Sequence, residues 1–193
     1  MNWINKNWAK IGGLISIAIV LFVLFSNPKL NEIESLFWIH FAIFLLHQFE
    51  EFVYPGKFKE FYNENILNRN RITRFPLNDN GIILVNVIFG WTAYLLSAIL
   101  GENFIWLTIG LLGVTILNGI MHTIMFIIKR KYNPGFISGL LLFIPFGIFL
   151  LLKIMENITS ENLIYGMIFF VIGTISVPLS ILITNRIKVP NKV

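Results

Sequence analysis

Six stretches of roughly twenty mostly apolar residues constrain this chain more than any other feature. They run over residues 8–25, 36–53, 81–100, 104–128, 136–152 and 161–184. A helix that crosses a bilayer needs about 20 such residues, because lipid offers the backbone no hydrogen bonds and each helix must satisfy its own. Asn27-Pro28, Pro55-Gly56 and Asn133-Pro134-Gly135 punctuate the runs as turn signals, and Gly101-Glu102-Asn103 makes a tight connection. The pattern predicts an all-α fold, a polytopic membrane helix bundle of six transmembrane helices, as a single integral membrane domain over residues 1–193. The first run starts like a signal peptide, but Ser26-Asn27-Pro28 is a poor cleavage context, so a retained helix is expected.

Composition excludes the main alternatives. The chain is 56% hydrophobic and only 13% charged, against about 25% charged in a soluble domain. Disorder needs the opposite balance. With no cysteine there is no disulfide, no thiolate metal site and no cysteine nucleophile. The net charge of +5 resolves into topology once each basic residue is placed. With the N-terminus inside, thirteen of fifteen basic residues fall in cytoplasmic segments, and only Lys29 and Lys153 fall outside. Both termini are therefore expected in the cytoplasm, on a multi-pass protein of the cell membrane whose surroundings are lipids and not nucleic acid. The longest loop, residues 54–80, places Phe58, Phe61, Tyr62 and Ile66 at helical spacing against Lys57, Lys59, Glu60 and Glu64. A short interfacial helix after the second span fits this pattern, and so does an irregular loop with aromatic anchors.

Ionisable groups inside a span are costly and need a reason. Eight of ten acidic residues sit in loops or at helix ends, whereas Glu50 and Glu51 are adjacent in the second span. All three histidines, His40, His47 and His122, also lie in spans. His47 precedes Glu50 by three residues and Glu51 by four, spacings that share a helix face. In the fourth span Thr108, Thr115, Asn118 and His122 form a polar stripe. In the third, Asn86, Gly90, Ala93 and Ser97 form a small and polar one. With the topology above, His47, Asn86 and His122 share a depth roughly 8–9 Å inside the cytoplasmic boundary. A common site of spans two, three and four is expected there.

Two histidines and a carboxylate are a zinc donor set, and with open positions also one for iron or manganese. His47, Glu51 and His122 are the candidate ligands of a divalent metal. Glu50 is a candidate general base, second ligand or partner that holds a ligand in place, and the roles of Glu50 and Glu51 are interchangeable at this stage. Asn118, one turn from His122, can orient a ligand or bond a substrate oxygen. Glu50, Glu51 and Asn118 are thus the candidate catalytic groups. His40 reads as a structural residue nearer the outer face.

The run Leu46-His47-Gln48-Phe49-Glu50-Glu51-Phe52-Val53-Tyr54-Pro55-Gly56-Lys57-Phe58 resembles the signature of the HXXEE-motif family, multispanning membrane proteins of unknown function found in bacteria. Asn118-x-x-x-His122 and Tyr132-Asn133-Pro134-Gly135, followed by a span with Pro145, resemble it too. The resemblance implies a small inner-membrane protein with a metal or catalytic centre, and it supplies no substrate. The leading expectation is an intramembrane metal-dependent enzyme, a hydrolase acting on a lipid or a membrane-embedded substrate. A proton- or ion-coupled transporter using the same residues is the alternative, and a structural or partner-binding membrane protein is a further one.

Overall fold

Helices account for all the regular structure among the described residues, which in this computed structural model are 2–25, 31–67 and 76–186. The Asn27-Pro28 turn and the basic residues Lys29, Arg69, Arg71, Arg74, Lys188 and Lys192 lie outside them. In chain order the helices are α1 (Asn2–Phe25), α2 (Glu32–Phe52), α3 (Phe58–Asn65), α4 (residues 79–100), α5 (Ile105–Lys129), α6 (Phe136–Ile154) and α7 (Ser160–Arg186). The middle of α4, Leu84–Trp91, and the second turn of α6, Gly139–Phe143, are π-helical.

Four helical runs are long and apolar enough to cross a membrane: Trp3–Phe25, Asp79–Lys129, Phe136–Ile154 and Ser160–Arg186. The expected count of six differs for two physical reasons. The Asp79–Lys129 run has 51 residues, which if straight would measure about 75 Å, over twice a bilayer's apolar core. It reverses instead at Gly101, whose φ of +57° only glycine adopts readily, and through the 3₁₀ turn Gly101–Phe104. Cross-links then run antiparallel: Ser97 Oγ lies 2.7 Å from Thr108 Oγ1, and Tyr94 Oη 2.6 Å from Thr115 Oγ1. The second reason is α2, which interrupts its apolar residues with His40, His47, Gln48, Glu50 and Glu51.

Those polar residues mark α2 as the central helix. Asn31 caps it, accepting from the Glu34 N–H while the Glu34 carboxylate accepts from the Asn31 N–H. One apolar cluster joins Phe41 and Leu45 of α2 to Ile19 of α1, Tyr94 of α4 and Leu111 of α5. A second joins Phe37 of α2 to Leu112 of α5 and to Leu150 and Ile154 of α6. The small residues of α1 permit its close approach: a Cβ on Gly13 would lie 2.6 Å from the Phe49 ring, and Ser16 donates to the Ala42 carbonyl at 2.8 Å. Within the loop after α2, Phe58–Asn65 form the helix α3, with Phe61 buried and Tyr62 and the capping Ile66 partly so.

Helix ends sort into two sets. Lys153 meets Glu32 at 3.0 Å, joining the end of α6 to the start of α2. At the opposite end Lys59 meets Asp79 at 2.6 Å, Asn185 donates to the Pro76 carbonyl at 2.8 Å, and Glu50 accepts from the first turn of α6. Lys6, Lys57, Lys59, Lys129, Arg130, Lys131 and Arg186 lie toward this second end.

Candidate metal centre

α2 and α5 run parallel with an offset of 75 residues. His40 Nε2 lies 2.9 Å from Thr115 Oγ1, and seven residues further along each helix His47 meets His122 with ring centroids 5.0 Å apart. Glu51, one turn beyond His47, reaches between the two rings. Its Oε1 lies 3.2 Å from His122 Nε2 and 3.6 Å from His47 Nε2. One donor atom from each of the three lies within 4.8 Å of the others, and all three side chains are buried.

Glu50 points elsewhere, as neighbours on a helix must, being about 100° apart. Its Oε1 accepts from the Tyr132 hydroxyl at 2.5 Å and the Ile137 N–H at 3.0 Å. Its Oε2 accepts from the Ser138 N–H at 2.7 Å and the Ser138 hydroxyl at 2.5 Å. Four donors fill the roughly four lone-pair positions of a carboxylate. The two N–H groups belong to the first turn of α6, where the helix dipole favours a negative charge.

This arrangement fixes the tautomer of His47. Ser138 Oγ gives its proton to Glu50, so at 2.8 Å from His47 Nδ1 it accepts, and His47 carries its proton on Nδ1. Nε2 of His47 is buried, has no hydrogen-bond partner and faces Glu51 and His122; in the neutral ring it is a bare lone pair. The Phe143 ring stacks on His47 at 4.1 Å and holds its plane, and Phe58 of α3 packs on His122 at 5.4 Å. Asn133 donates to the His122 carbonyl at 3.1 Å and ties the connecting loop to the site.

The close fit depends on glycine at two places. Gly135 has φ +97°, and a Cβ there would lie 2.5 Å from His122 Cε1 and 2.9 Å from His47 Cε1. Gly119 of α5 meets α6 so closely that a Cβ would lie 2.7 Å from the Gly139 carbonyl oxygen. This contact brings Ser138 within reach of His47.

The structure brings His47, Glu51 and His122 together, and joins Glu50 to them through Ser138. Asn118 makes no hydrogen bond through its Oδ1, which is buried one turn before His122. Asn86 lies at the expected level but in a separate network: Gln48 Nε2 donates to Asn86 Oδ1 at 3.0 Å, and Trp91 donates to Gln48 Oε1 at 2.8 Å. The start of α6, not α4, therefore closes the site. Ser138, Tyr132, Gly135 and Phe58 were not singled out as site residues by sequence reasoning. Outside the membrane-spanning segments, burial and the adjoining Glu50 carboxylate push the Tyr132 phenol above its ordinary value.

A family model for proteins of unknown function with an HXXEE motif matches residues 38–150. The chain belongs to this family. His47-x-x-Glu50-Glu51 is the motif itself, and the matched segment also holds His122, Tyr132, Gly135 and Ser138. No curated protein and no solved structure matches the chain.

A divalent metal is the group that the donor set His47, Glu51 and His122 implies. Tetrahedral zinc with bonds of 2.0–2.1 Å separates its ligand atoms by about 3.4 Å. The two Glu51–histidine distances, 3.2 and 3.6 Å, bracket that value. The bare His47 lone pair, with its other ring nitrogen held by a hydroxyl and a carboxylate, is the usual preparation of a histidine ligand. The residues present fit a metal.

Proposed function

We propose that the chain is a six-span membrane protein with both termini in the cytoplasm, and that His47, Glu51 and His122 hold a catalytic divalent metal. Zinc suits the donors best, with iron or manganese next. The topology rests on the charges: among the described residues, the helix ends near the site carry all the basic residues but Lys153, as cytoplasmic ends do. The reaction class we propose is hydrolysis of a lipid or another membrane-embedded substrate.

The observation that carries the reading is the buried His47 Nε2 with no partner, aimed at a carboxylate and a second histidine. Bound there, a metal supplies Lewis acidity and lowers the pKa of water. The chain's own residues do the rest. Ser138 and Glu50 hold His47 in one tautomer, and Glu50, with all its lone-pair positions occupied, is a positioning residue and not a base. Glu51 brings the negative charge that offsets a dication in low dielectric. Asn118 Oδ1 and His122 Nδ1 are both buried without partners, one turn apart. Asn118 is the residue we assign as acceptor for the His122 Nδ1–H, which would leave His122 Nε2 to hold a metal.

Elemental analysis of protein purified in detergent tests this. About one equivalent of metal is expected in the natural chain, falling below a tenth in His47→Ala and His122→Ala. A folded natural chain that takes up no zinc, iron or manganese would overturn the reading.

One observation favours the transporter alternative. A buried polar series, His40–Thr115–Tyr94 and then Ser97–Thr108, continues from the site toward the Gly101 turn. Proton flux in proteoliposomes, abolished by His40→Leu, would mark that series as a conduction path.

A further inference from the structure

Between α1, the end of α2, α3 and the start of α4 lies a cleft of about 160 Å³. Its apolar wall includes Trp8, Phe52 and Ile82, and Lys6, Lys57 and Lys59 reach into it. Lys59 is neutralised by Asp79 at 2.6 Å. Lys6 and Lys57 are exposed and, among the described residues, have no ion-pair partner. Glu60 also lines the cleft, which leaves it net positive.

Two features point to a ligand with a phosphate and an apolar tail. Lys57 sits in the left-handed region at φ +71°, which costs a non-glycine residue of order 1 kcal/mol and fixes where its side chain departs. It opens α3, whose first-turn N–H groups no side chain caps, at the edge of the same cleft. Below this charged rim the wall is aromatic and aliphatic, and the cleft lies at the level where the helix ends carry the basic residues.

We propose that this cleft binds the phosphate headgroup of an anionic phospholipid from the cytoplasmic leaflet, and that it is the entry to the metal centre. The inference rests on the proposed function and names its substrate class. Phe58 joins the two places: it lines the cleft, and its ring lies 5.4 Å from that of His122. The Lys6 and Lys57 ammonium groups bind the phosphate, Trp8 and Phe52 cover the first carbons of the tail, and Phe58 is the partition.

The test titrates the full chain in detergent with short-chain phosphatidylglycerol, with phosphatidylcholine of the same chain length, and with inorganic phosphate. Phosphatidylglycerol is expected to bind at least about tenfold tighter than either of the others. The pair Lys6→Gln and Lys57→Asn, in which asparagine tolerates the left-handed backbone, should weaken it roughly tenfold. Glu60→Gln should tighten it, and melting temperatures should show both variants folded. Equal binding of inorganic phosphate would mean a free-anion site, and equal binding of phosphatidylcholine a mere apolar groove. Either result, or an unchanged affinity in the double lysine variant, overturns the proposal. Metal content reports separately: His122→Ala should lose metal and keep phosphatidylglycerol binding, and the lysine pair should do the reverse.

Discussion

The same two helices build two polar layers, one above the other, about 10 Å apart. In the upper layer, toward the Gly101 turn, His40 of α2 meets Thr115 of α5, and Tyr94 of α4 shares the same hydroxyl. In the lower layer His47 and His122 take the equivalent places, with Glu51 between them. The upper layer is neutral and its donors and acceptors match. The lower layer has a carboxylate between two rings and unpaired nitrogens on both. All four buried side-chain atoms without a partner, among the described residues, belong to the lower layer or its border: His47 Nε2, His122 Nδ1, Asn118 Oδ1 and Asn133 Oδ1. Buried polar groups are normally satisfied, so a matched layer needs no ligand and an unmatched one is poised for one. A histidine in a span is therefore informative only through what its second nitrogen touches.

The largest effect should come from Gly135→Ala. The new Cβ would meet both histidine rings and occupy a left-handed backbone position. Together these should lower stability by about 3 kcal/mol and abolish metal binding. Wild-type melting and metal content in this variant would mean that the lower layer is loose, and the contrast with the upper one would fail. Ser138→Ala is next. It removes the acceptor of the His47 Nδ1–H while leaving the ligands, and metal affinity should fall about 10- to 100-fold. Ser97→Ala, which removes the bond to Thr108 beyond the upper layer, should leave metal affinity unchanged and cost about 0.6 kcal/mol, an average interhelical hydrogen bond in a membrane. Competition titration with a chelating dye measures both. Thr115→Val leaves His40 and Tyr94 without their shared partner, a smaller effect than that of Ser138→Ala but a larger one than that of Ser97→Ala. It should cost about 1–2 kcal/mol in thermal unfolding, with metal content unchanged and Thr115→Ser restoring stability.

The helical positions were legible because lipid leaves the chain few options: apolar runs and turn residues located α2, α4, α5, α6 and α7 to within a few residues, and the end of α1, whose start lies six residues before its apolar run. His47, Glu51 and His122 were legible because helical spacing and depth converge on them. Ser138 and Gly135 were not. A serine in the first turn of a span is commonplace, and its role depends on the close contact of Gly119 with Gly139, which involves two distant positions. Asn86 shows the opposite error. Depth alone placed it with the histidines, but rotation about the α4 axis turned it to Gln48. Depth follows from counting residues. Azimuth depends on packing, and the π-helical stretch of α4 that contains Asn86 departs from the 3.6-residue period that face assignments assume.

The smallest effect tests whether the two layers also differ in their access to water. The upper layer is enclosed: His40, Tyr94 and Thr115 are all at most 3% exposed. The lower one has an outlet, because Glu50 holds the hydroxyl of Tyr132, whose side chain is 40% exposed. Burial and the Glu50 carboxylate raise the Tyr132 pKa above the usual value of about 10. The folded chain then binds this proton more tightly than the unfolded chain. Its contribution to stability is full below about pH 10 and is lost as the pH rises above that value. Ultraviolet titration should show a late-ionising component that shrinks by one tyrosine in Tyr132→Phe and moves partly to lower pH in Glu50→Gln. If Tyr132→Phe leaves the late component unchanged and removes an ordinary tyrosine instead, the outlet is not wired to Glu50. The lower layer would then be as enclosed as the upper one and would differ from it only in its unpaired nitrogens.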